Sequence, residues 1–303
     1  MKTRMKIAIV LMLVCVLGCT KQDDPNNGAP SQIIPAGALS GVFQVSETKQ
    51  VRFAKGNLQY NAKSNTWRFA ETQWSMVGES DFLGNVFENG IQCSNDSVSP
   101  TYGGWIDLFG WGTSGWNSGA NCFEPWSTSN QSDDYIIGGN PSLGLVDTYY
   151  KADWGSNPIS NGGNSPDLWR TLTHEEWLYL YRNNIMFRAS INGVNGLFIL
   201  PEGFQIPDGM FQYTLDDEKW HHNRYNLSGG QRMEANGAVF LPITGCRMST
   251  NTLGTTNGYY WSSSPATNSA CAYSFEFTGE HIRPSGFFPY RAQGYAIRLV
   301  QDL

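Results

Sequence analysis

Trp169-Arg170-Thr171-Leu172-Thr173-His174-Glu175-Glu176-Trp177-Leu178-Tyr179-Leu180-Tyr181 is the stretch on which the reading of the fold turns. Thr173 followed three residues later by Glu176 is a capping box, in which hydroxyl and carboxylate each satisfy a backbone N–H that a helix start leaves unpaired. Trp177, Leu180 and Tyr181 then recur at helical spacing, so one face is apolar and belongs against a sheet. The spacing predicts a helix starting at Thr173.

On its C-terminal side the chain reads as short strands: 196–201, 238–242, 259–264, 272–277 and 294–300. In the fourth, Tyr273, Phe275 and Phe277 share one face and Ser274 and Glu276 the other, the alternation of a half-buried strand. On the N-terminal side, Val51–Lys55, Leu58–Tyr60 and Thr66–Phe69 are separated by Gly56-Asn57 and Ser64-Asn65. That pattern predicts an antiparallel meander. Residues 78–166 are rich in Gly, Asn, Ser and Trp and hold no sustained period, the mark of a long functional or decorated loop region. Few helices among many short strands make the fold class α+β.

Four motifs in one order carry a family resemblance: Trp169 to Trp177, Leu197-Phe198-Ile199-Leu200-Pro201-Glu202-Gly203, Tyr260-Trp261-Ser262-Ser263-Ser264, and Gly294-Tyr295-Ala296-Ile297-Arg298-Leu299-Val300. Together they resemble the Fibrobacter-type major paralogous domain, over about residues 165–303. That family is similar to the C-type lectin-like fold in the variant shared with formylglycine-generating enzymes. Residues 41–126 resemble the front half of large exported proteins of the Bacteroides group. The resemblance implies one continuous lectin-like domain over 39–303, with the meander at its start. It also implies a ligand face on the segment before the last strand, where His281, Arg283, Phe287, Phe288, Tyr290 and Arg291 stand.

The N-terminus reads as an address. Lys2, Arg4 and Lys6 precede the apolar run Ile7 to Leu17, then Gly18 and Cys19, the order of a secretory signal. The run is about half of the roughly 20 residues that cross a bilayer as a helix, which disfavours a permanent transmembrane anchor. Val16-Leu17-Gly18-Cys19 resembles the lipobox of bacterial lipoproteins, although Leu17 is larger than the usual residue there. The expectation is cleavage of residues 1–18, lipidation of Cys19 and a polar tether over 19–38. Within the tether, Lys21-Gln22-Asp23-Asp24 resembles the surface-export signal of Bacteroides-group lipoproteins, and it reads equally as an ordinary solvated linker. The expected location is the outer membrane, with its outer face as one possibility.

Losing Lys2, Arg4 and Lys6 would move the formal charge from −6 to −9. An acidic chain lacks the electrostatic drive for binding a phosphate backbone, so nucleic acid is not an expected partner. Four cysteines remain after Cys15 is removed and Cys19 lipidated: Cys93, Cys122, Cys246 and Cys271. An even number in an exported chain suggests disulfides, and neighbour pairing, Cys93 with Cys122 and Cys246 with Cys271, is the expected connectivity among three. No CxxC spacing points to zinc.

No motif supplies a catalytic set. Gly110-Trp111-Gly112-Thr113-Ser114-Gly115 satisfies GxGxxG, but its tryptophans crowd the glycines and no apolar helix follows. His174-Glu175-Glu176 begins like a zinc-protease helix and then has Leu178 where the second histidine would stand. His221 and His222 are adjacent and read as surface residues. Formylglycine-generating enzymes work through cysteines near the C-terminus, and Cys271, which has Cys246 as an expected partner, reads first as a bridge. Glu124-Pro125-Trp126 is the nearest string to a lectin calcium loop, without its Asn-Asp partner. What remains is aromatic: Trp105, Trp111, Trp116 and Trp126 among glycines, and the terminal loop. The expectation is a cofactor-free binding protein for a glycan or a surface protein, with an enzyme and a structural adhesion component as rivals.

Overall fold

The computed structural model describes residues 33–77, 87–88, 91–210, 213–215, 220–253, 256–285 and 289–303. The signal segment, Cys19 and all but the end of the tether therefore lie outside the described residues, as do Phe287 and Phe288.

The strands follow in chain order: β1 (Phe43–Gln44), β2 (Gln50–Phe53), β3 (Leu58–Asn61), β4 (Thr66–Phe69), β5 (Phe87–Glu88) and β6 (Ile91–Gln92). Five 3-10 turns occupy much of the stretch before helix α1 (His174–Asn183). Then come β7 (Met186–Ile191), β8 (Val194–Ile199), β9 (Arg224–Tyr225), helix α2 (Leu227–Ala235), β10 (Val239–Pro242), β11 (Cys246–Met248) and β12 (Asn251–Leu253). Last are β13 (Gly258–Pro265), β14 (Ala272–Phe277), β15 (Ile282–Arg283), β16 (Gln293–Gly294) and β17 (Val300–Asp302). They form small, mostly antiparallel sheets, ordered β10-β8-β7-β9, β12-β11-β16, β13-β14-β15 and β1-β2-β17, with hairpins β3-β4 and β5-β6. This is an α+β protein, and residues 34–303 make one compact unit.

Helix α1 starts where its capping box places it. Glu176 N donates to Thr173 Oγ1 at 3.2 Å, and Thr173 N donates to the Glu176 carboxylate at 2.9 Å. Trp177 and Leu180 are buried, and the Trp177 ring stacks on Phe275 of β14 at 4.6 Å. Tyr181, expected on the same face, is 43% exposed, so the buried stripe is narrower than the spacing suggested. Arg170 holds the helix start to the C-terminal strand by donating to both Glu176 oxygens and both Asp302 oxygens. Thr173→Ala removes one half of the box and should cost about 1 kcal/mol. Thermal unfolding should register that as a drop of about 2 °C.

The expected meander is corrected. β3 and β4 do pair, Leu58 with Phe69 through Asn61 with Thr66, but β2 turns away to β1 and β17. The C-terminus occupies the place beside β2, with Val300 opposite Phe53. The expected terminal strand over 294–300 is also not one strand. Tyr295 pairs with Phe109, Ala296 bridges Tyr260, Ile297 O accepts from Leu58 N, and Leu299 O accepts from Ala54 N. A segment that bonds in turn to the long loop, β13, β3 and the end of β2 binds the two halves of the sequence into one core.

The aperiodic stretch is packed although it has no long element. Trp111 and Trp154 are fully buried in the main apolar cluster. Trp111 Nε1 donates to Ser262 O at 2.9 Å and Trp261 Nε1 donates to Phe109 O at 2.7 Å, a reciprocal pair that fixes the loop to β13. Gly110 allows a second close approach, to the 3-10 region, because a Cβ there would sit 2.4 Å from the Tyr135 ring. The GxGxxG string is thereby accounted for by packing.

Candidate ligand-binding cleft

The terminal loop does not form the single aromatic and basic face expected of it. Arg291 is corrected outright: it is fully buried, its Nε donates to Cys271 O at 3.1 Å, its Nη2 to Pro141 O, and its guanidinium lies 4.4 Å from the Trp111 ring centre. Such a side chain ties the loop down and has no access to a ligand. Tyr290 is 58% exposed, His281 is exposed beside Glu280, and Arg283 is half-buried opposite Glu276 in the β14–β15 pair. With Phe287 and Phe288 outside the described residues, His281, Arg283 and Tyr290 are the loop positions that retain access.

The disulfide expectation is corrected too, since no disulfide joins any two of Cys93, Cys122, Cys246 and Cys271. Cys93 packs with Val77 and Trp105 in its own small cluster, whereas Cys122 sits by the Tyr135 hydroxyl in the 3-10 region. Cys246 opens β11, paired to β12, while Cys271 lies against Tyr290. Burial pushes the Cys271 thiol up, only partly opposed by Arg291. A protonated, enclosed thiol is a poor nucleophile. His174, the lone histidine of the false zinc motif, stacks on Tyr273 at 3.8 Å and has its proton affinity lowered by burial.

The four loop tryptophans divide cleanly. Trp105 and Trp111 are core, but Trp116 and Trp126 are half-buried and line one cleft of about 610 Å³. Three pieces of chain build it. Hairpin β3–β4 supplies Tyr60, Asn65 and Trp67; the loop supplies Gly115, Trp116, Glu124 and Trp126; the end of a 3-10 turn supplies Asn157. Gly115 N donates to Phe123 O at 2.9 Å and closes the loop on itself, which brings Trp116 and Trp126 to the same opening. Gly115 has φ of +89°, a conformation that glycine adopts without strain.

The aromatic rings of the lining are held by ring contacts. Trp126 stacks on Tyr60 at 6.1 Å, Tyr60 packs on Trp67 at 4.5 Å, and Trp116 meets Tyr149 edge-on at 6.1 Å. Asn157 Nδ2 donates to Ser114 O at 3.0 Å, and Tyr60 OH donates to Asn65 Oδ1 at the same distance. Burial, then the Glu124 charge, pushes the Tyr60 hydroxyl up to about 12, so it remains a proton donor at neutral pH. Glu124 is half-buried, its carboxyl is raised by desolvation, and its side chain has no hydrogen-bond or ion-pair partner among the described residues. Its oxygens are not among the buried unpartnered atoms, so water reaches them and a ligand donor could take the place of that water.

The sequence marks Trp116, Trp126 and Glu124 as candidates for recognition, whereas Tyr60, Asn65 and Trp67 read there only as strand and turn residues and Asn157 as part of the aperiodic stretch. Nothing local marks those four, because they reach the cleft through tertiary packing. Two further cavities share His221, one with Trp220 and Arg224 and one with Arg232 and Gly229. A third, of about 280 Å³, lies over Asp153, whose carboxylate is already taken up by Gly155 and Thr171. Among the described residues no group of three or more His, Cys, Asp or Glu side chains could hold a metal ion, and no helix is long and apolar enough to cross a membrane.

Fold and site thus define an α+β protein of small antiparallel sheets with a preformed aromatic cleft. Comparison with known proteins adds no relative: no family model, curated protein or solved structure matches the chain.

Proposed function

We propose that this protein is a non-catalytic, membrane-anchored binding protein of C-type lectin-like fold that recognises a glycan in the Trp116–Trp126 cleft. The observation that carries the reading is Glu124, a half-buried carboxylate without a donor among the described residues, in a cleft that Trp116 and Trp126 also line. Saccharide recognition needs that combination. An indole offers its electron-rich face to the C–H side of a sugar ring, and a few fixed polar groups choose the orientation. A single carboxylate also argues against glycoside hydrolysis, which uses two flanking the scissile bond.

The lectin-like fold rests on the four ordered motifs, and the anchor on the Cys19 lipobox and the polar tether behind it. The enzyme reading would use Cys271, which is 2% exposed and shifted away from the thiolate. A second ligand face on the terminal loop keeps one argument in its favour, the exposure of Tyr290.

Affinity electrophoresis through gels containing soluble polysaccharides tests the reading. The intact protein should be retarded by at least one polysaccharide, and Trp126→Ala should migrate as in an empty gel. Equal retardation of both would remove the cleft from the account. Intact-mass measurement after alkylation in denaturant, without reductant, checks the address and the thiols together. Expected are loss of residues 1–18, acyl mass on Cys19, and alkyl groups on Cys93, Cys122, Cys246 and Cys271. An unprocessed N-terminus would contradict the anchor, and unalkylated pairs would restore the bridges.

A further inference from the structure

We infer that the cleft selects neutral saccharides and rejects uronate- or sulfate-bearing ones, with Glu124 as the acceptor for a pair of sugar hydroxyls. The inference rests on the glycan reading above and names its ligand class.

Charge decides it. Among the described residues that line the cleft, Glu124 is the only charged one, and none is a Lys, Arg or His. Recognition of a carboxylate or sulfate normally uses Arg or Lys as a charge-assisted donor, with Arg binding both oxygens at once. The nearest cations along the lining segments are committed or peripheral. Arg68, next to Trp67, lies 3.7 Å over the Trp105 ring and donates to Gln59 Oε1 at 2.9 Å. Lys63 and Lys151 are exposed and neither lines the cleft. An anionic sugar entering would therefore meet an uncompensated carboxylate in a partly desolvated site, where like charges repel far more than in water. The chain's net charge of −6 adds a field of the same sign.

The same carboxylate suits a neutral ring. Ionised, it accepts only, through two oxygens that can each take a hydroxyl hydrogen. Asn65 and Asn157 also line the cleft; the Asn65 Oδ1 already accepts from Tyr60 and the Asn157 Nδ2 already donates to Ser114 O, which leaves the Asn65 amide donor and the Asn157 amide acceptor for a ligand. Two hydroxyls on adjacent ring carbons present two donors to one carboxylate while the apolar face of the ring stays against Trp116 or Trp126. Hydrogen bonds to a charged acceptor are the stronger kind, so the pair both satisfies Glu124 and orients the sugar.

The test uses the full chain purified in detergent, titrated with laminarin, yeast mannan and arabinoxylan as neutral probes and with polygalacturonate, alginate and chondroitin sulfate as anionic ones. At least one neutral probe should bind tenfold or more tighter than every anionic probe, and raising salt should leave that affinity within twofold. Glu124→Gln keeps the size of the side chain and removes the charge. It should weaken the neutral probe at least fivefold and narrow the gap to the anionic ones, with the melting temperature unchanged. An anionic probe that binds as tightly as any neutral one, and is lost in Trp126→Ala, would uphold the glycan cleft and overturn the neutral class. Neutral binding unaltered by Glu124→Gln would overturn the role of Glu124. Absence of Trp126-dependent binding to any probe would overturn the cleft itself, and with it this inference.

Discussion

Arg298→Met should be the most destabilising single substitution in the domain, costing roughly 5 kcal/mol or more, a large share of the roughly 5–15 kcal/mol that holds a domain together. Arg298 is 1% exposed, and burial lowers its proton affinity to about 10, so it is charged at neutral pH. Its Nε donates to Asn57 Oδ1 at 3.0 Å; Nη1 reaches Ala54 O at 3.3 Å and Gln73 Oε1 at 3.4 Å; Nη2 reaches Gln73 O at 3.3 Å and Phe240 O at 3.1 Å. Three remote parts of the chain meet on one guanidinium. Methionine fills the volume but leaves buried acceptors without donors, at about 1–3 kcal/mol each when fully stranded. Urea denaturation should show a large fall in midpoint with an unchanged slope, or no folded protein at 25 °C. Arg298→Lys, with a compact donor head, should recover only part of the loss. A cost under 1 kcal/mol for Arg298→Met would mean that this network does not hold the halves together.

The largest functional effect should come from removing both platforms. Trp116→Ala with Trp126→Ala should weaken binding of a retained polysaccharide at least a hundredfold, corresponding to about 2.7 kcal/mol. Buried aromatic anchors are where interface energy concentrates, often at 2 kcal/mol or more each. Because both rings are only partly buried against the core, the cost to folding should be smaller than for a core tryptophan, about 1–3 kcal/mol for the pair. Trp111→Ala is the contrast. That ring is fully buried and donates to Ser262 O, so its loss should cost about 3–5 kcal/mol and act on binding only by unfolding the chain. Titration beside a melting curve separates the two outcomes.

The parts of the fold legible in the sequence were those whose cause is local. The α1 start is written in Thr173 and Glu176, and the β3–β4 hairpin in two runs around Ser64-Asn65. The half-buried strand that alternation predicts at β14 is corrected: Phe275 and Phe277 are fully buried, but Ser274 and Glu276 on the opposite face are buried too, and Tyr273 is the least buried of the five, because layers pack on both sides of this strand. The segment 294–300 was misread as a strand because its hydrogen-bond partners, Phe109, Tyr260, Leu58 and Ala54, lie far away along the chain and no pattern within seven residues reveals them. Arg291 misled for a related reason: an arginine among aromatics in a loop reads as surface until Trp111 is known to lie beneath it. The expected bridges rest on an even cysteine count, which carries no geometry, and the structure joins no two of these thiols.

The cleft was half legible. Trp105, Trp111, Trp116 and Trp126 look alike in a Gly-rich stretch, and composition does not say which two are core. What separates them is the hairpin, whose Tyr60 backs Trp126, and the Gly115–Phe123 hydrogen bond that closes the loop. Glu124 was noted only as part of a calcium-loop string, and its lack of a partner is a fact of three dimensions.

A crystal structure of the protein soaked with an oligosaccharide from the best-retained polysaccharide tests the central claim most directly. The account predicts a sugar ring lying flat on Trp116 or Trp126 with two hydroxyls within 3 Å or so of the Glu124 carboxylate. An ordered sugar against Tyr290 and His281, with the cleft empty, would contradict it.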